Sequence, residues 1–575
     1  MERLPPIAPS DEIDLYLRTY YSLLRSSGQV RVRAIEEAHA YSGSSLHPGA
    51  LSPIPDVSAF AYAAARLPDE MRETKLVVLG QSHELFEAAG FDVRAWKTVR
   101  TRGRRRPLRF ESNTGTLGVF IASESDIDDF VPIVTAYQIE WNKMHWRLQA
   151  ANLTAHTELP DANALAEMLG VTAADIAVLT FAFTKANFEV GIRALAARPS
   201  DIHLQMLASS YSQYQRAAQR WWSGIEPGYL QREHPRRPPV YFVSSNTHAI
   251  ANLVGGYARA HTKEIVEYAL TKNPEGLADT VAEKKGNDAA ILPLVYYLLR
   301  GYIHDDPTGE RMREVRQYEA KVGLAHVSEP GHVDVDAQIM QLSKLDPALI
   351  DPRLRVPGIE ALAKSDAYII NIDYPLGMAA YHLLSRVGQG VGELRGVYVM
   401  GKAATLNGRV GDVSLSGVVY DEHTRNTFLF RNALTSKDVR PYLQYGSVFD
   451  NQSALTVRSA FLQNKNYMNA FYRDGYTVLE MEAGPFLSAI YELMHPTRIP
   501  VNEILHVNDR SFEVGFLHYV SDTPYSRRQS LLSKSLSYFG VDSTYACAIA
   551  IVRKIFEREV AFAEGSPATP VAQPG

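Results

Sequence analysis

The chain has 575 residues, 46% of them hydrophobic and 21% charged, with 59 Lys and Arg against 64 Asp and Glu for a formal charge of −5. Such a composition belongs to a folded globular protein too long for one ordinary core, so two or three packed units are expected, and nothing in the charge draws it to nucleic acid or an anionic membrane. The single cysteine, Cys547, excludes an intramolecular disulfide; no apolar leader opens the chain and no stretch nears the roughly 20 apolar residues of a bilayer span, so the expected location is cytoplasmic and reducing.

In chain order, Ile13, Leu15, Leu17, Tyr20, Leu23 and Leu24 give residues 11 to 27 a helical spacing behind a Ser10-Asp11 start. Lys75-Leu-Val-Val-Leu-Gly80 reads as a buried strand, and Arg94 to Ser123 as a hairpin turning at Arg102-Gly-Arg-Arg-Arg-Pro107. The eight Lys or Arg residues from Arg94 to Arg109 would suit an anion patch, but the acidic Glu124-Ser-Asp-Ile-Asp-Asp129 that follows favours a solvated hairpin face. Helices are predicted from about 127 to 223, and the Pro-, Arg- and Gly-rich stretch 226 to 239 marks a boundary. Beyond it, Pro239 to Val254 has the form strand, polar turn, helix. Residues 261 to 365 read as largely helical, and from Ala367 onward strands and helices alternate. The expected organisation is an N-terminal α+β domain over 1–235, a connecting segment over 236–365, an α/β catalytic domain over 366–564 and a disordered tail over 565–575. Gly331-His-Val-Asp-Val-Asp336 has a metal-like spacing, but no second cluster completes a ligand shell, so it is read as a loop.

Four pieces in the C-terminal half carry chemistry. Ala367 to Gly377 is a buried strand ending in a turn with Asp373, and Gly396 to Ser416 holds a strand that stops at a small-residue turn, Gly401-Lys402, before a second strand opens after Gly411-Asp412. The third, Val478-Leu-Glu-Met-Glu-Ala-Gly-Pro-Phe486, sets Glu480 and Glu482 on either side of Met481 where a strand becomes a helix; the aromatic-rich stretch from Phe461 precedes it. The fourth, Phe516 to Tyr525, is a strand ending in Ser521-Asp522. Polar residues at the carboxyl ends of strands face the crevice where α/β proteins bind ligands. Two adjacent carboxylates are costly to hold together without donors, and a sugar diol would supply them, with Met481 against its carbon face.

In this order the Gly401 turn, Gly411-Asp-Val413, Leu479-Glu-Met-Glu-Ala483 and Val520-Ser-Asp522 resemble the nucleoside phosphorylase and nucleosidase superfamily. The Val-Ser-Asp-Thr-Pro ending behind a large N-terminal domain is most similar to its AMP nucleosidase branch. The resemblance covers about residues 366 to 560. It implies a mixed sheet flanked by helices, a homo-oligomer, no metal or organic cofactor, and cleavage of the N-glycosidic bond of a purine nucleotide or nucleoside. It places Glu482 on the ribose hydroxyls, Met481 under the sugar and Asp522 as the acid that protonates the departing base. Such an acid must be protonated near neutrality, so burial and the nearby glutamates are expected to raise its pKa.

The first two loops depart from the family's glycine-rich pattern. Ile372-Asp-Tyr-Pro-Leu-Gly377 brings an acid that would repel phosphate, which favours water as acceptor, while Lys402 suits a substrate 5′-phosphate. His248, Arg473, Arg527 and Arg528 are further binding candidates, with Glu480, Gly401, Asp373 and Phe461 counted among the substrate-binding residues. A phosphorolytic transferase and a non-catalytic nucleotide sensor remain open, and Glu480-Met-Glu482 alone also fits an ordinary strand-to-helix junction.

Overall fold

Two mixed sheets organise the chain in a computed structural model that describes residues 11–26, 28–103, 106–207, 211–229, 237–328, 333–523 and 538–565. The first sheet has the order β1-β6-β2-β5-β4-β3, built from β1 (Val30–Arg31), β2 (Leu76–Gly80), β3 (Lys97–Val99), β4 (Leu108–Glu111), β5 (Thr116–Phe120) and β6 (His203–Met206). Its centre is the apolar run predicted from 75 to 80. The predicted hairpin is β3 and β4, paired antiparallel. β6 interrupts what the sequence reads as continuous helix, because His203 to Met206 pairs between β1 and β2.

Across this sheet lies the 27-residue helix Glu124–Ala150, buried along most of its length. The Asp126 carboxylate accepts the backbone N–H of Ala122 (2.7 Å) and Ser123 (3.2 Å) at its first turn. Three cations of the basic stretch are paired locally: Arg94 with Glu84 and Glu87, Lys97 with Glu70, and the buried Arg106 with Asp126 and Asp129.

The second sheet has eleven strands: β7 (Pro239–Ser244), β8 (Leu324–Val327), β9 (Ala337–Gln341), β10 (Tyr368–Ile372), β11 (Glu393–Thr405), β12 (Val413–Asp421), β13 (Thr427–Leu429), β14 (Val448–Thr456), β15 (Tyr476–Glu480), β16 (Ile504–His506) and β17 (Glu513–Asp522). The order β16-β13-β12-β14-β15-β11-β7-β10-β9-β8 is joined by β17, which pairs with both β11 and β12. β11, β17, β12, β14 and β15 therefore close into a ring. The stretch 236 to 365, set apart by the sequence reading, supplies β7, β8 and β9 to this same sheet, so two of its predicted helical stretches are strands.

Side chains alternate along the central strands. Tyr241, Val243, Tyr398 and Met400 face a core with the helices Thr247–Gly255, Asp288–His304 and Tyr538–Ala563, while Val240, Phe242, Val397 and Val399 face one with Tyr211–Tyr229, Met378–Gly390 and Ala483–Met494. This is a mixed α/β fold, helices on both faces. The helix Tyr211–Tyr229, expected in the N-terminal unit, buries Trp221, Trp222, Ile225 and Tyr229 in the second of these cores. Packing thus moves the boundary ahead of the Pro-rich stretch.

Candidate active site at the strand ends

Three carboxyl strand ends lie side by side. β12, β14 and β15 run parallel, and their last residues, Asp421, Thr456 and Glu480, are neighbours in register. Thr456 donates its hydroxyl to Glu480 Oε1 and accepts the backbone N–H of Gly484 at 2.8 Å. Glu480 Oε2 accepts the N–H groups of Glu482 (2.7 Å) and Ala483 (2.6 Å). Glu480 is thus buried and spent on the first turn of the helix Ala483–Met494, whose N-cap position is Glu482. Burial raises its pKa although all three donors oppose the shift. Glu482 stays partly exposed, and Met481 packs beside Leu406, Leu455, Val457, Met468 and Leu479.

Asp522 closes β17 opposite Ala404 of β11, and Ala404 lies opposite Leu479 of β15. Asp522 and the glutamate-bearing strand therefore stand two strand spacings apart, roughly 10 Å. Ser521 Oγ donates to Asp522 Oδ1 at 3.2 Å. Burial raises the pKa of Asp522, against Ser521 and the charges of Arg66 and Lys402. The direction is the expected one, but the charged neighbours that act on it are cations, one of them from the N-terminal domain, and not the glutamates.

The turn predicted at Gly401 is absent. β11 runs on to Thr405 with Gly401 buried, Lys402 exposed and Ala403 buried, the period-two pattern of a strand. Gly401 pairs with His518, whose ring would lie 3.2 Å from a Cβ there. Phe461 also moves: it is 1% exposed in the N-terminal core, its ring centroid 5.3 Å from Tyr62 and 6.0 Å from His39, and Asn464 pins the segment by donating to Ser42 O. The aromatic expected at the substrate site packs instead into the N-terminal core and anchors the segment there. Asp373 follows β10, buried, and accepts the N–H of Tyr374 at 3.0 Å. Tyr374 in turn shares a 2.9 Å hydroxyl contact with Tyr519. His248 is exposed near the start of Thr247–Gly255. Arg527 and Arg528 lie outside the described residues.

One residue escaped the sequence reading. His518 is fully buried, its Nε2 stands 3.8 Å from Glu480 Oε2, and neither ring nitrogen has a hydrogen-bond partner among the described residues. Burial holds its pKa down at about 4. Only its place four residues before Asp522 on an apolar strand could have flagged it. Among the described residues, no cluster of three or more His, Cys, Asp or Glu is placed to hold a metal, and no single helix is long and apolar enough to cross a membrane.

A mixed α/β protein with a closed strand ring and carboxylates gathered at its strand ends is the class that fold and site define. The chain belongs to a family of unknown function (DUF6909), whose model matches residues 32–557. No curated protein matches it in sequence. Among solved structures it is similar to a 5′-methylthioadenosine/S-adenosylhomocysteine nucleosidase from Neisseria meningitidis in complex with methylthio-immucillin-A, at 9% identity over 56% of this chain and 99% of that one, with a TM-score of 0.30. It is also similar to the Arabidopsis thaliana 5′-methylthioadenosine nucleosidase (9% identity, 58% and 100%, TM-score 0.29) and to a Vibrio fischeri uridine phosphorylase (8%, 43% and 88%, TM-score 0.27).

Proposed function

We propose that the chain is an N-glycosidase that hydrolyses a purine nucleotide or nucleoside, with AMP the first substrate to try. The observation that carries this reading is the placement of Asp522, a carboxyl whose pKa is raised by burial, two strand spacings from the Glu480-Met481-Glu482 turn. That gap suits a base at one end and a ribose at the other.

Asp522 in its acid form gives a proton to a ring nitrogen of the base as the glycosidic C–N bond breaks and its electron pair goes to the base. The ribosyl group left behind has oxocarbenium character, and Glu482, held by the helix turn that Glu480 and Thr456 fix, accepts the hydrogen bonds of the two ribose hydroxyls. Water adds its hydroxyl to the anomeric carbon, and its remaining proton restores the Asp522 carboxyl. Lys402, exposed on β11 beside Asp522, suits a substrate phosphate as a mobile point charge. Asp373, buried in the first loop, disfavours inorganic phosphate there and so favours water as acceptor.

The test is incubation of the purified protein with AMP, adenosine, inosine and methylthioadenosine, with and without phosphate, following free base by chromatography. Release without phosphate is expected. Release that requires phosphate would make the protein a phosphorylase, and binding without release would make it a sensor.

A further inference from the structure

A second polar cluster joins the two domains, and the reaction proposed above makes no direct use of it. Ser125, in the first turn of the N-terminal helix Glu124–Ala150, lies 3.2 Å through its Oγ from His423 Nε2 across 298 residues of sequence. The other ring nitrogen, Nδ1, is 2.8 Å from Asp421 Oδ1. Asp421 also accepts from the Thr424 hydroxyl (2.7 Å) and the backbone N–H of His423 (3.1 Å) and Thr424 (3.3 Å). Burial works to raise its pKa, but His423 and these donors hold it below the usual carboxylate range. With Asp421 ionised, Nδ1 carries a proton, and in the neutral ring Nε2 accepts the Ser125 hydroxyl.

The atoms are those of a nucleophilic triad, but no substrate can reach them. Ser125 has no exposed surface, its Oγ accepts the Met378 N–H at 2.9 Å, and a Cβ on Gly377 would fall 2.2 Å from it. The order of contacts leads elsewhere. Asp421 lies against Gly484, where a Cβ would come within 2.5 Å of the aspartate, and is the register neighbour of Thr456, which holds Gly484 N and Glu480. The chain Ser125, His423, Asp421, Gly484 thus ends on the turn that presents Glu482. At its other end Ser125 fixes Met378, the residue that closes the loop after Asp373.

We propose that Ser125, His423 and Asp421 are positioning residues, through which docking of the N-terminal domain sets the 482–484 turn and the loop at 373–378. The catalytic consequence rests on the nucleosidase reading; the mechanical coupling does not. Backbone hydrogen exchange separates them. In the full-length protein, Ser125→Ala and His423→Gln are expected to speed exchange of the amides at 482–486 roughly five- to tenfold, the loss of about one buried hydrogen bond. Arg425→Ala, which breaks the Arg425–Asp14 ion pair between the same domains at 2.7 Å, should leave those amides unchanged. Unchanged exchange in Ser125→Ala, or an equal effect from Arg425→Ala, would overturn the relay. So would labelling of Ser125 by a fluorophosphonate, which would make it a nucleophile. If the wild type releases base, Ser125→Ala should lower kcat/KM by about tenfold while the fold persists. If the wild type releases none, the nucleosidase reading fails, and the exchange result still decides the relay.

Discussion

Replacing Glu422 with Gln should make the protein more stable at neutral and alkaline pH, and the size of the gain follows from where the side chain sits. Glu422 leaves the end of β12 at the domain junction, where its Oε2 accepts the Arg458 N–H at 3.1 Å. Burial pushes its pKa up to about 7, against the Arg458 N–H, the charges of Arg458 and His423, and with a further upward push from Asp421. The unfolded chain ionises this carboxyl near an ordinary 4.5, so folding is favoured fully below that value, and the advantage is lost as pH rises to about 7. At about 1.4 kcal/mol for each pKa unit the loss is about 3 kcal/mol, an upper figure because part of the side chain meets solvent. Glutamine keeps the acceptor for Arg458 and carries no charge. Thermal unfolding at pH 5 and pH 8 should show near-equal Tm values at the lower pH, and at pH 8 a variant higher by up to roughly 6–12 °C in the transition that includes this junction. A variant that melts below wild type at pH 8, or that keeps the wild-type slope between the two pH values, would refute the reasoning.

Three further outcomes are expected. Asp522→Asn should cut base release by about 10²-fold or more with a Tm at neutral pH no lower than wild type, since the amide keeps the shape and loses the proton; a variant with wild-type turnover would remove Asp522 from the mechanism. Phe461→Ala should cost about 3–5 kcal/mol and loosen the docking of the 460–464 segment, measured as a fall in Tm and new proteolysis there, while a wild-type melting curve would show that the anchor is idle. Arg106→Ala withdraws a buried guanidinium from Asp126 and Asp129 and should destabilise the N-terminal domain by about 3–5 kcal/mol, read as early unfolding of that domain by circular dichroism.

What the sequence discloses depends on how local the physics is. The strand at Leu76–Gly80 and the junction at Glu480 are legible because an apolar run and a strand-to-helix change each fit within a few residues. β6 is hidden because its four residues have no period of their own and are strand only through their neighbours β1 and β2. Gly401-Lys-Ala-Ala looks like a turn by composition, yet it is part of a continuous strand in which Gly401 faces the ring of His518, 3.2 Å from where a Cβ would lie. Phe461 looks like a site aromatic because it lies near the glutamates in sequence, but its burial partners, His39 and Tyr62, are some four hundred residues earlier. The Ser125–His423 contact has no sequence signal at all.

These non-local contacts have one direction in common. Phe461 enters the N-terminal core, Ser125 enters the C-terminal half beneath Gly377 and Met378, and Arg458 approaches Asp128, which Tyr20 and Tyr21 also hold at 2.6 and 2.8 Å. Each exchange is made by a residue within a few positions of a strand end or loop that bounds the candidate site: Arg458 and Phe461 just after β14, His423 just after β12, Met378 after β10. Contacts gathered at the strand ends tie the geometry of the carboxylates to the seating of the N-terminal domain. Separating the halves ahead of Tyr211 would therefore leave a C-terminal fragment that keeps the helix Tyr211–Tyr229 but lacks both Ser125 and Arg66, whose charge acts on Asp522.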